Sequence, residues 1–220
     1  MDFLDIPVWT PKIEKGKPIS VVCAAPRESG KSNLLKNLFD SYFFDNYDFI
    51  AVFSETSEDD DFWFDFLGEK NSVIYNSFKS SKVKELEAFQ KRYFRRHNVW
   101  LNVMIILDDV TGAKNNKELL RIYNMGRHTK ISVYWIAQTA TQIAPEARNN
   151  TDIGIFFKQV TGGANEFMIK HFVGAHMNGL KMTEKLELIN NIPRFHSLIV
   201  DTQNRDMGKD KLRRYKAPMM

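Results

Sequence analysis

The feature that most constrains this chain is the segment APRESGKS at residues 25–32, which lies between an apolar run and an amphipathic stretch. The run at residues 19–24 predicts a buried strand, and the apolar positions from Leu34 to Phe43 have the spacing of a helix packed on a sheet. A tight turn at a helix N-terminus directs successive backbone N–H groups at one point, where they bind phosphate. The sequence therefore predicts a bound nucleoside triphosphate.

Two side chains of this loop have predicted roles of their own. Lys31 adds a mobile positive charge beside the phosphates, and the Ser32 hydroxyl is a ligand for Mg²⁺. Loops of this kind usually open with glycine, and alanine in that place would be costly if the turn needed a positive φ. The residues predicted to bind the nucleotide are Ala25, Pro26, Arg27, Glu28, Ser29, Gly30, Lys31, Ser32 and Asn33.

A second nucleotide motif is the apolar run at residues 103–107, which ends in Asp108 and Asp109. A strand buried on both faces of a sheet has this composition, and an acid at its carboxyl end can reach a metal held by Ser32. We predict that Asp108 lies on the Mg²⁺ side, directly or through water, and that Asp109 orients and polarises the attacking water. A strand-ending turn would also explain two aspartates.

Two further polar residues flank the apolar run at residues 131–137. Gln138 follows it, where an amide can contact both a γ-phosphate and the attacking water. Arg127 precedes it, and its guanidinium could reach a neighbouring subunit's nucleotide and neutralise charge there. On position alone, Gln138 is equally well interpreted as an ordinary loop residue, and nothing but position supports a role for Arg127.

The chain as a whole has the composition of one globular domain. It has 220 residues, of which 43% are hydrophobic and 26% charged, and strands alternate with helices from Ile19 onward. This alternation predicts an α/β fold with a mostly parallel sheet and helices on both faces. We expect a single domain over residues 1–204, with its core motifs at 19–157, and a basic tail at 205–220. No apolar run is long enough to span a bilayer, and the N-terminus is acidic where a secretion signal would be basic.

The charge of the chain does not decide whether it binds nucleic acid. The net charge is +4, with basic clusters at residues 91–97 and in the tail. The first cluster is equally well explained as the solvated face of a helix. The tail lacks a periodic apolar face and is the better candidate for phosphate contact. Cys23 allows no disulfide within one chain, and the histidines lack the spacing of zinc ligands.

Taken together, these motifs resemble the DNA-packaging ATPases of large DNA viruses and virophages, the poxvirus-type branch of the FtsK/HerA superfamily. The resemblance extends from about residue 19 to 157. Besides the two nucleotide motifs, it is carried by the segments 126–128, 131–132, 138–139 and IAPEARNN at 143–150. The chain departs from the family pattern at Ala25, and at Asp109, where many relatives carry a glutamate that is one methylene longer.

The resemblance implies a RecA-like P-loop core, a homo-oligomeric ring of five or six subunits, and ATP-driven translocation of double-stranded DNA into a preformed capsid. It implies ATP and Mg²⁺ as cofactors, and as partners proteins of the capsid vertex or membrane-associated capsid proteins. The expected location is the host cytoplasm or a viral factory, with presence in the virion left open. By the same analogy Arg127 is an arginine finger acting in trans, with Arg148 as the alternative, and Gln138 is the γ-phosphate sensor.

Two other classes of function fit parts of the sequence. A small-molecule or nucleotide phosphotransferase needs an arginine-rich lid, for which residues 91–97 are the nearest candidate. A nucleotide-dependent capsid assembly switch would bind the same nucleotide but hydrolyse it slowly.

Overall fold

The structure is a computed structural model that describes residues 2–56, 61–110, 112–203 and 211–218. One sheet runs through these residues. Its strands are β1 (Ser20–Ala24), β2 (Phe49–Ser54), β3 (Ser72–Tyr75), β4 (Val103–Asp108), β5 (Ile131–Ala137), β6 (Ile153–Phe156), β7 (His196–Asp201) and β8 (Leu212–Lys216). The strands lie in the order β3-β2-β4-β5-β1-β6-β7-β8.

Helices connect most of these strands. They are α1 (Lys31–Leu38), α2 (Phe62–Leu67), α3 (Ser80–His97), α4 (Lys117–Thr129), α5 (Pro145–Asn149), α6 (Gly162–Met168) and α7 (Met182–Asn190). Helix α1 continues into a π-helical turn at Phe39–Phe43, and α6 does so at Ile169–Val173. In the part of the chain that the structure describes, no helix is long and apolar enough to cross a membrane.

The predicted α/β class and mostly parallel sheet are confirmed. Strand β1 pairs in parallel with β5 and β6, and the run β3-β2-β4-β5 is parallel throughout. Alternate residues of β1 point to opposite faces, so that Val22 joins a core with α3, α4, α6 and α7 while Val21 joins a second core with α1 and α2. Because both faces of β1 are covered, the strand is buried along its whole length.

The amino edge of the sheet is fixed by close contact between α4 and β5. A Cβ atom on Gly126 would lie only 2.5 Å from the carbonyl oxygen of Ile131, so a larger residue would force the helix away from the strand. Gly126 therefore allows the backbone of α4 to pack closely against that of β5. It also places the next residue, Arg127, at the edge of the sheet where the parallel strands begin.

The C-terminal segment corrects the expectation of a loose basic tail. Residues 212–216 form β8, which pairs antiparallel with β7 and buries Leu212 and Tyr215. The N-terminal segment pairs with the same strand, since the Trp9 N–H donates to the Arg214 carbonyl at 2.9 Å. The two buried side chains are three residues apart, so the segment lacks the alternation of apolar and polar residues that would have predicted a strand. The remainder of the predicted tail, at 204–210 and 219–220, lies outside the described residues.

Candidate nucleotide-binding site

The loop between β1 and α1 crosses the carboxyl edge of the sheet at its centre, because β1 lies between β5 and β6. The N–H of Ala25 donates to the carbonyl of Ala137 at 2.9 Å, so this residue still continues the strand pairing. The positive φ angles of the loop fall instead at Glu28 (58°) and Gly30 (95°). Since Ala25 does not carry one, the replacement of the usual glycine costs no backbone strain there.

Lys31 and the two aspartates converge at this edge. The Lys31 Nζ lies 3.0 Å from Asp108 Oδ1 and 3.0 Å from Asp109 Oδ2. Burial lowers the pKa of Lys31, but the two carboxylates outweigh it and hold that pKa above its ordinary value. The lysine therefore remains a cation beside the loop at all physiological pH values.

Asp109 has an unusual backbone and one free oxygen. Its φ is +50°, a left-handed conformation that aspartate tolerates better than most residues. Gln138 Nε2 lies 3.3 Å from Asp109 Oδ2. The other oxygen, Oδ1, is buried and has no hydrogen-bond partner among the described residues. A buried carboxylate oxygen without a partner is a group that a bound water or ligand would satisfy.

The residues at the loop fit a magnesium-bound nucleotide. The Ser29 hydroxyl in the loop, like Asp109 Oδ1, is buried without a partner among the described residues, and Asp109 lines the cavity described below. Ser32 and Asp108 would hold the metal with oxygen ligands, the kind that Mg²⁺ prefers. Within the described ranges no group of three or more acidic, histidine or cysteine residues could hold a metal alone.

One residue of the site escaped the sequence analysis because its contact depends on the order of the strands. Trp63, in α2, is only 2% exposed, and its indole Nε1 donates to Asp108 Oδ2 at 2.9 Å. Helix α2 follows β2, which is paired with β4, and this neighbourhood brings the indole N–H to Asp108, the predicted metal-side acid. The aromatic run at residues 62–64 was the signal, but nothing in it indicated which residue it would contact.

A cavity of about 450 Å³ opens over the loop. Two of the residues that line it, Arg194 and Phe195, come from the turn before β7 and carry no sequence motif. Its lining is formed by Ala25, Pro26, Arg27, Glu28, Gly30, Lys31, Ser32, Asn33, Asp109, Gln138, Arg194 and Phe195. Most of the residues predicted to bind the nucleotide thus share one cavity with the predicted water-orienting acid, and their individual roles stay predictions. The Asn33 side chain is engaged elsewhere, since its Nδ2 donates to the Pro218 carbonyl at 2.8 Å.

Arg127 lies at the opposite edge of the sheet. Its Nη2 donates to Asp152 Oδ1 at 2.7 Å, yet 70% of the side chain is exposed. Strand β5 has seven residues, so the two edges are separated by roughly 20 Å. Arg127 therefore cannot reach the nucleotide loop of its own chain. If it contacts a nucleotide, that nucleotide must be bound to a neighbouring subunit.

Arg148, the alternative arginine, is held by contacts within its own chain. Arg148 Nη2 donates to the Ile143 carbonyl at 2.8 Å, and its guanidinium lies 4.7 Å from the ring centroid of Phe167. Burial lowers the pKa of Arg148. These contacts favour Arg127 over Arg148 as an arginine available to a neighbouring subunit.

Solved structures of other proteins share this fold. The chain is similar to B204, the DNA-packaging ATPase from Sulfolobus turreted icosahedral virus, with a TM-score of 0.68 and 16% identity over 94% of this chain and 100% of that one. It is also similar to the genome packaging NTPase B204 of Sulfolobus turreted icosahedral virus 2 in complex with ATP-γ-S, with a TM-score of 0.64 and 16% identity over 92% of this chain and 98% of that one.

A cellular secretion protein has the same core. The cytoplasmic domain of the type VII secretion ATPase EccC from Thermomonospora curvata matches with a TM-score of 0.63 and 12% identity, over 100% of this chain and 31% of that one. No curated protein sequence matches the chain.

A family model gives the more specific assignment. The model described as "Poxvirus A32 protein" matches residues 15–183, which is well over half of the chain and includes both nucleotide motifs. The fold and the convergence of Lys31 with Asp108 and Asp109 agree with that match. The chain therefore belongs to the poxvirus A32 protein family.

Proposed function

We propose that this protein is an ATP-hydrolysing translocase of double-stranded DNA that packages a viral genome into a preformed capsid. Membership of the poxvirus A32 family supports this function, as does the shared fold with two genome-packaging ATPases. The observation that carries it is the meeting of Lys31, Asp108 and Asp109 beside Gln138 at the carboxyl edge of the sheet. In this proposal Lys31 is the phosphate-binding cation, Asp108 the metal-side acid and Asp109 the water-orienting acid, and their proximity supports these roles.

The chemistry follows from a change of partners at Lys31. In this structure the lysine is held by the two carboxylates, and a triphosphate in the loop would offer it stronger anionic partners. As Lys31 turns to the phosphates, Asp108 becomes free for the metal and Asp109 for the attacking water. Gln138, already in contact with Asp109, can orient the same water through its amide. A bound Mg²⁺ supplies charge neutralisation on the phosphate oxygens.

The position of the basic cluster argues against a small-molecule phosphotransferase. Residues 91–97 form the C-terminal part of α3, which leads into the amino end of β4. The cluster therefore lies at the edge opposite the phosphate loop, where it could not close over a nucleotide in the same chain. In addition, Lys91 is paired with Glu87 at 2.8 Å.

The assembly around this site also belongs to the proposal. Because Arg127 is exposed at the far edge of the sheet, it suits a homo-oligomeric ring in which one subunit completes the site of the next. We place the ring on double-stranded DNA at the capsid vertex, with capsid proteins as partners, in the host cytoplasm or a viral factory.

The test is the ATPase rate with and without duplex DNA, measured on protein whose oligomeric state is known. We expect rings to hydrolyse ATP faster when duplex DNA is present. Lys31→Ala should abolish this activity by weakening ATP binding, whereas Lys36→Ala, on the same helix but outside the cavity lining, should retain it. If rings hydrolyse ATP at the same rate with and without duplex DNA, the result would contradict translocation and favour the nucleotide-dependent assembly switch.

A further inference from the structure

The cavity over the phosphate loop has one wall that hydrolysis does not use. It is made by Arg194 and Phe195, in the turn that precedes β7. The Phe195 ring lies against the loop so closely that a Cβ on Gly30 would be 2.9 Å from its Cδ1. The ring is still 42% exposed, so it faces the cavity while it contacts the loop.

The backbone holds this ring in place at some cost. The His196 N–H donates to the Pro193 carbonyl at 3.1 Å, which closes a four-residue turn with Phe195 in its third position. Phe195 has a φ of +65°, and turns that need a positive φ in their third position normally carry glycine there. A bulky residue with positive φ is an outlier that persists where the surrounding structure imposes it, and such outliers are concentrated at ligand sites.

The strand order determines which part of a nucleotide this wall would meet. Asp109 and Gln138 follow β4 and β5, on one side of β1, and so define the side of the γ-phosphate. Phe195 precedes β7, on the other side of β1. A triphosphate whose reactive end faces Asp109 must therefore extend its nucleoside toward the β6 and β7 side.

The ring already binds a flat group. The guanidinium carbon of Arg194 lies 4.8 Å from the centroid of the Phe195 ring. Planar cations and nucleobases both stack on aromatic rings, and every base has a face that can do so. We propose that Phe195 is the platform on which the base of the bound nucleotide stacks, with the ring face that now carries the guanidinium available to it.

This proposal rests on the function proposed above, because it assumes a nucleoside triphosphate in the loop. It is tested by the dissociation constants of ATP and of inorganic tripolyphosphate, each with Mg²⁺, measured by calorimetry. Phe195→Leu should weaken ATP binding by about 5- to 100-fold and leave tripolyphosphate binding within twofold, since only ATP has a base. Phe195→Tyr should restore ATP binding because it keeps the ring.

Two further variants separate stacking from damage to the fold. Phe195→Asn removes the ring but accepts a positive φ, so it should show the same selective loss. Phe89 is 40% exposed in α3 and does not line the cavity, so Phe89→Leu removes an equally exposed ring and should change neither constant.

Equal weakening of both ligands would overturn the proposal, because the ring would then act by shaping the loop through Gly30. Unchanged binding of both would overturn it too. Either result would leave the proposed function intact if wild-type rings still hydrolyse ATP in response to duplex DNA. Failure of the wild-type protein to bind ATP would defeat both.

Discussion

At the scale of single residues, most polar groups of the site already have partners within the protein. Lys31 neutralises two carboxylates, Trp63 occupies the second oxygen of Asp108, and Gln138 contacts Asp109. Only Asp109 Oδ1 and the Ser29 hydroxyl are buried without partners in the described part of this site. Nucleotide binding therefore exchanges existing ion pairs for new ones, and these two atoms gain partners without losing any.

The role of Asp109 can be tested with a nearly isosteric variant. We expect Asp109→Asn to keep ATP binding, because Lys31 retains Asp108, and to lower the hydrolysis rate by about 10²- to 10⁴-fold through loss of a water-orienting carboxylate. Asparagine accepts the φ of +50°, so the fold should be unchanged. Single-turnover hydrolysis and calorimetry measure the two effects. Hydrolysis at the wild-type rate would remove Asp109 from the mechanism.

At the scale of elements, α3 and α4 are joined by a strong ion pair. Arg121 Nη1 donates to Glu87 Oε1 at 2.9 Å, and its Nη2 contacts the other oxygen. Hydrogen bonds from Arg121 are the largest cause that lowers the pKa of Glu87, to about 2. The Glu87 side chain is only 10% exposed, whereas that of Arg121 is 37% exposed, so solvent screens the pair in part. This pair links α4, the helix that carries Arg127, to α3.

The pair predicts a defined dependence of stability on pH. Because the pKa of Glu87 is depressed on folding, its contribution is fully present above the ordinary glutamate pKa of about 4.3 and is lost as the pH falls toward about 2. We expect Glu87→Gln to lower the free energy of unfolding by about 1–3 kcal/mol at pH 7. Denaturant titrations should show this difference shrinking below about pH 4. Glu85→Gln is the control, since the Glu85 side chain is 61% exposed. If the loss of stability in Glu87→Gln did not change with pH, the ion pair with Arg121 would not be its cause.

The C-terminal strand changes how DNA contact by the tail should be tested. Deleting residues 205–220 would remove β8 and the contacts of Tyr215 with Trp9, so lost DNA binding would have two explanations. Lys211→Gln with Lys216→Gln removes only charge from side chains at the ends of the strand. If both lysines touch phosphate, the slope of log affinity against log salt should fall by about 2. An unchanged slope with unchanged stability would mean that these lysines do not contact DNA.

At the scale of the whole molecule, the two edges of the sheet carry different residues of the proposed ATPase site. The phosphate loop and the aspartates occupy the carboxyl edge, and Arg127 is exposed at the amino edge. A closed ring of identical subunits brings such opposite surfaces together at every interface.

Mixing experiments test this arrangement. We expect Arg127→Ala to retain ATP binding and lose turnover, while His128→Ala, an exposed neighbour, retains both. Mixed rings of Arg127→Ala and Asp109→Asn subunits should recover part of the activity, because some interfaces would pair an intact acid with an intact arginine. Absence of recovery at every ratio, in rings shown to be mixed, would count against action in trans.

The sequence predicted the features that local patterns encode. The apolar run at residues 131–137 has the bounds of strand β5, and the convergence of Lys31 with Asp108 followed from two strand ends in a parallel sheet. The contact of Phe195 with the phosphate loop could not be predicted. Phe195 is far from Gly30 in the sequence, and the two meet only because the turn before β7 lies at the same edge of the sheet. Strand β8 could not be predicted either, because its two buried side chains, Leu212 and Tyr215, are three residues apart and do not alternate with the basic residues.

The central place of β1 has a consequence for synthesis on the ribosome. Its partners β5 and β6 are completed only at residues 137 and 156, although β1 itself ends at residue 24. A nascent chain carries its phosphate loop long before it has the two strands that hold that loop in shape. We therefore expect nucleotide binding to be acquired late in translation, and a prematurely terminated product that lacks β6 not to compete with finished subunits for ATP.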